Sequence, residues 1–90
     1  MVNLNVQAKV IGKRELNRFL KLEKELTSFV ATKYGKKSYL RVVGSKDKSY
    51  RVFAEYEFAS REAVKYPQRI FHQKLENLNL AFLNITSYAG

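Results

Sequence analysis

The sequence contains no cysteine, so it has no disulfide and no thiolate to offer a metal, which fits a reducing compartment. Histidine and aspartate are nearly as scarce, with His72 and Asp47 the lone examples. Zinc sites take three or four ligands, and only Glu76 stands one helical turn from His72, so that pair is expected to be a solvent-facing contact. One histidine cannot seed a specific Ser/His/Asp constellation. The longest apolar run, residues 80–83, is far short of the roughly 20 residues a membrane-spanning helix needs. An alternating pattern begins at once, without a charged leader followed by an apolar stretch, so no signal peptide is expected. These absences predict a cytoplasmic protein that is no enzyme, with no metal site, no cofactor and no membrane partner.

Negative charge is also scarce. Eight Asp and Glu stand against 17 Lys and Arg, a formal net charge of +9. Such an excess repels itself in a folded chain and points to a polyanionic or acidic partner. Apolar residues make up 46% of the 90, with six Phe and six Tyr, a globular composition for a single basic domain over 1–90.

Residues 2–10 alternate without a fault, Val2, Leu4, Val6, Ala8 and Val10 against Asn3, Asn5, Gln7 and Lys9, the pattern of a half-buried strand closed by Gly12. From Lys13 the period becomes helical through Leu16, Phe19, Leu20, Leu26, Phe29 and Val30. Lys33 falls in the last turn, and Gly35 is the expected left-handed helix cap. Residues 39–43 and 50–58 read as a hairpin around the polar turn 44–48. Pro67, suited to a first helical turn, predicts that the second helix starts there, with Ile70, Phe71, Leu75 and Leu78 as its stripe. That leaves 61–66 unassigned. A last strand is expected over 80–88. The order β-α-β-β-α-β predicts an α+β, ferredoxin-like split βαβ sandwich: a four-stranded antiparallel sheet with both helices on one face.

The positive charge is concentrated. Between residues 33 and 51 lie Lys33, Lys36, Lys37, Arg41, Lys46, Lys48 and Arg51 against Asp47 alone, interleaved with Tyr34, Tyr39 and Tyr50 and followed by Phe53. Cations contact phosphates and rings stack on unpaired bases, so Lys36, Lys37, Tyr39, Arg41, Lys46, Lys48, Arg51 and Phe53 are the candidate nucleic-acid-binding residues. Arg51, Phe53, Ala54 and Phe58 match the third-strand signature of the RNA recognition motif family, while Val52 and Glu55 depart from it. The sequence therefore resembles that family in layout, which implies an open sheet face able to stack bases. Glu55 and Glu57 share one side of a strand, where cross-strand ion pairing is a simpler reading than a metal-dependent nuclease.

The function expected from the sequence is binding of DNA or RNA through the basic hairpin and open sheet face. The alternative is a non-enzymatic inhibitor or adaptor, of the kind encoded by phages and plasmids, docking on a protein or nucleoprotein partner. Homodimerisation through the open face is compatible with either, with Phe53, Phe82 and Tyr88 as its apolar centre.

Overall fold

Strand β1 (Val2–Ile11) leads into helix α1 (Lys13–Lys33), then β2 (Gly35–Gly44), β3 (Ser49–Phe58), helix α2 (Arg61–Leu75) and β4 (Phe82–Ala89) in the computed structural model. The structure describes residues 1–33 and 35–89, Thr32 and Lys33 by their backbone alone. Expectations resting on Tyr34 and on the Lys33 side chain lie outside the described residues.

All strand pairs are antiparallel, in the order β2-β3-β1-β4. Strands β1 and β2 are thus separated by β3, the split arrangement that the element order predicts, and the fold is ferredoxin-like α+β. Faultless alternation makes β1 central: Val2, Leu4, Val6, Ala8 and Val10 are buried under the helices, and their polar neighbours point the other way. Val52, Ala54, Tyr56 and Phe58 of β3 join them. Leu16, Phe19, Leu26 and Val30 of α1 close the core with Val64, Phe71 and Leu75 of α2.

Three boundaries differ from those expected. Helix α2 begins at Arg61, not Pro67, because Ser60 caps it: the Ala63 N–H donates to Ser60 Oγ at 3.2 Å. Pro67 lies inside the helix and is buried there, its packing offsetting the hydrogen bond that its missing N–H denies the Ala63 carbonyl. Gly35 opens β2 and is no left-handed cap. A Cβ at this position would collide with the Glu57 carbonyl oxygen of β3, so glycine permits a close strand approach. Strand β2 therefore starts well before residue 39, and a register shift between Lys37 and Tyr39 absorbs the irregularity. Strand β4 starts at Phe82, after Leu80 has packed against the core. Among the described residues, the one glycine with positive φ is Gly12, at +91°, where β1 turns into α1. No helix of the described residues is long and apolar enough to cross a membrane.

Candidate functional site

With both helices on one side, the other side of the sheet is open. The pairing registers set its side chains in four rows, running from β4 through β1 and β3 to β2. The first holds Tyr88, Asn3, Glu57 and Lys36, and the second Thr86, Asn5, Glu55 and Tyr39. The third holds Asn84, Gln7, Phe53 and Arg41, and the fourth Phe82, Lys9, Arg51 and Val43.

Charge is divided along this face. Both carboxylates lie in the first two rows and are engaged. Lys36 pairs with Glu57 at 3.5 Å, and the Tyr88 hydroxyl donates to Glu55. That carboxylate, by accepting the phenolic proton, raises the Tyr88 pKa. Lys9, Arg41 and Arg51 occupy the last two rows and form no ion pair with a described residue, although Lys9 lies near enough to Asp47 to favour its ionised form. Gln7 and Asn5 are tied by an amide hydrogen bond of 3.1 Å.

Aromatic rings and cations meet at one place. A concavity of 410 Å³ is lined by Gln7, Ala8, Lys9, Arg51, Phe53 and Phe82. Phe82 is 51% exposed although it sits in a strand, so its ring is available as a wall. The volume falls within the roughly 300–1,000 Å³ of small-molecule sites. On the helix side a second concavity, of 380 Å³, is lined by Lys65, Gln68, Arg69, His72 and Ile85. His72 Nε2 lies 3.9 Å from Glu76 with both side chains exposed, the simple surface contact that their spacing suggests. Among the described residues no three His, Cys, Asp or Glu side chains cluster as metal ligands.

Of the eight residues picked out for nucleic-acid binding, the structure brings five onto one face. Lys36, Tyr39, Arg41, Arg51 and Phe53 share the open face. Lys37 points to the opposite side, where its ammonium donates to Glu23 at 3.1 Å. Lys46 and Lys48 stand apart on the turn, with Lys48 in the left-handed region at φ +64°. Asp47 organises that turn: the hydroxyls of Ser45 and Ser49 and the Ser49 N–H donate to its carboxylate, holding its pKa well below the ordinary range.

Glu23 was not anticipated. Its side chain is 3% exposed and accepts from Thr27 Oγ1 at 2.7 Å, Lys37 Nζ at 3.1 Å and the Tyr56 hydroxyl at 3.3 Å. A carboxylate buried between helix and sheet is tolerable because three donors, one of them charged, satisfy it. The signal was in the sequence: residues 16, 19, 23, 26 and 30 continue one helical stripe, and only 23 is charged.

No protein-family model matches the chain, and no curated protein matches it in sequence. Similarity to solved structures extends over its whole length. A candidate antibiotic biosynthesis monooxygenase from Deinococcus radiodurans superposes with a TM-score of 0.71 at 14% identity, covering 100% of this chain and 92% of that one. A dimeric ferredoxin-like protein from an uncultured marine organism gives 0.62 at 16% identity, covering 100% and 94%. A candidate antibiotic biosynthesis monooxygenase from Nitrosomonas europaea gives 0.57 at 8% identity, covering 99% and 89%.

These neighbours correct the functional expectation. Several proteins sharing the fold end to end are described as monooxygenases, and none of these as a nucleic-acid-binding protein, inhibitor or adaptor. The geometry supplies a physical reason: Lys36 and Lys37 are spent on carboxylates on opposite sides of the sheet, and Glu55 occupies the position where a base-stacking ring would stand. The expectation of no catalysis likewise stands against those names. At these identities the likeness establishes the ferredoxin-like fold.

Proposed function

We propose that this chain is a small-molecule-binding domain whose ligand is a planar aromatic anion held in the concavity on the open sheet face. The observation that carries this reading is the meeting of Phe53 and Phe82 with Lys9 and Arg51 around one 410 Å³ space. The two rings offer apolar faces to a flat ligand, each such contact being worth about 0.5–1.5 kcal/mol beyond area burial. The Arg51 guanidinium and Lys9 ammonium select a carboxylate or phenolate, and Gln7 adds an amide able to donate or accept. The monooxygenase descriptions of several structural neighbours support oxygenation of such a ring as the first reaction to test.

The test is calorimetric titration with 2-naphthoate and with neutral, isosteric 2-naphthamide. The anion is expected to bind at least about tenfold tighter, a difference of about 1.4 kcal/mol. Arg51→Gln with Lys9→Gln is expected to erase that preference, and Phe82→Ala to weaken both ligands alike. No saturable binding, or a preference unchanged in the double variant, would overturn the proposal. Oxygen uptake by the protein with hydroxylated naphthoates then tests for turnover.

A further inference from the structure

Another concavity adjoins the first at the same two cations. Lys9 and Arg51 stand opposite each other in the fourth row. From the β4 side they face the space walled by Phe53 and Phe82; from the turn they face one of 280 Å³, walled by Ser45, Asp47 and Ser49. Rings, cations and a carboxylate therefore follow one another along the end of the sheet. Among the described residues lining either space, Asp47 is the one acid.

Asp47 holds the turn with half of its carboxylate. The Ser45 hydroxyl, the Ser49 hydroxyl at 2.6 Å and the Ser49 N–H at 3.1 Å all donate to Oδ1, and no described residue donates to Oδ2. An asparagine carbonyl would accept the same three donors, so the turn alone does not call for a charge. The wall is fixed before any ligand arrives. The Lys48 N–H donates to the Ser45 carbonyl at 3.2 Å, and the Gly12 N–H donates to the Lys48 carbonyl at 2.8 Å, tying the turn to the end of β1. A negative charge here works against a plain carboxylate on Lys9 and Arg51. It becomes an attraction when the ligand itself brings a cation to Oδ2, and charge-assisted hydrogen bonds are about twice as strong as neutral ones.

We propose that the ligand is an aromatic zwitterion. Its flat ring lies between Phe53 and Phe82, its carboxylate meets Lys9 and Arg51, and an ammonium group on the far side of the carboxylate from the ring donates to Asp47 Oδ2. The assignment rests on the small-molecule reading and narrows it, adding a selection for a positive group that Lys9 and Arg51 cannot make. Two cations and one carboxylate of the protein then face one carboxylate and one ammonium of the ligand, each ligand charge set against its opposite.

The test compares two acids that differ in one group, 2-(2-naphthyl)propanoate and 3-amino-2-(2-naphthyl)propanoate, by calorimetric titration of wild type and Asp47→Asn. The amino compound is expected to bind wild type at least about tenfold tighter than its parent acid, and the two to bind Asp47→Asn within about twofold of each other. In ¹⁵N–¹H correlation spectra of wild type, the amides of Ser45, Asp47 and Ser49 are expected to shift with the amino compound and not with the parent. These spectra need no variant, so they decide the matter even if Asp47→Asn fails to fold. A parent acid that binds while the amino compound binds no tighter overturns the zwitterion and leaves the anion reading standing. So does a gain that survives in folded Asp47→Asn, or turn amides that respond to both acids alike. Binding of neither acid overturns both readings.

Discussion

At the scale of single residues, two adjacent lysines show how little a charge count says about role. Lys36 is itself exposed on the open face and pairs with the half-buried Glu57, whereas Lys37 reaches under α1 to a carboxylate that has little other solvation. Lys36→Ala is therefore expected to change stability by no more than about 0.5 kcal/mol. Lys37→Ala strands a buried charge with two neutral donors and is expected to cost about 2 kcal/mol, read from urea unfolding midpoints. Equal effects would show that Glu23 is solvated in solution. Tyr56 belongs to the same cluster, packed edge-on against Phe71 with ring centroids 4.9 Å apart. Burial, and then the Glu23 charge, raise its phenol pKa far above the ordinary 10.0. The sign follows from linkage. The folded state holds a proton that the unfolded chain releases near pH 10, so this stabilisation is complete below that pH and is lost progressively above it. Tyr56→Phe is expected to flatten the alkaline limb of the stability curve while leaving the neutral region lower by about 1 kcal/mol. An alkaline limb identical to wild type would contradict this.

At the scale of elements, the parts with an unbroken period were legible in the sequence and the parts decided by a single contact were not. Strand β1 could be read residue by residue because its alternation matches its burial. The start of α2 was hidden because Pro67, which suits a first helical turn, is instead buried inside a helix that Ser60 caps. Ser60→Ala is expected to cost about 1 kcal/mol and to increase hydrogen exchange in the first turn of α2. Unchanged exchange there would show that the cap is dispensable. The start of β2 was hidden for another reason. Lys36, Lys37 and Ser38 have no strand-like composition, and the pairing is imposed by β3 through the close approach at Gly35. Gly35→Ala is expected to separate β2 from β3 at that end and lower stability by about 2 kcal/mol, visible as lost amide protection on both strands. Protection equal to wild type would mean the strands can move apart without cost. The candidate site was half legible: Arg51 and Phe53 were singled out for their types and Phe82 was placed with Phe53 on the open face, but Lys9 and Gln7 join them only through the register of β1 with its two neighbours.

At the scale of the whole molecule, the net charge of +9 invited a polyanionic partner, and the fold redistributes that charge. Ten of the 17 Lys and Arg lie on the helices. Of the other seven, Lys37 and Lys36 pair with Glu23 and Glu57, Lys46 and Lys48 sit on the turn, and Lys9, Arg41 and Arg51 gather at one end of the open sheet beside two aromatic rings. A compact ligand with one negative group and a flat body fits that end better than an extended phosphate chain, which would cross Glu55 and Glu57. The most direct test is a ¹⁵N–¹H correlation titration with 2-naphthoate. Shifts are expected to concentrate on the amides of Gln7, Lys9, Arg51, Phe53 and Phe82, leaving the turn at Lys46–Lys48 and the helix-side groove at Arg69 and His72 unmoved. Shifts centred on that turn or groove, or none at saturating naphthoate, would contradict the account.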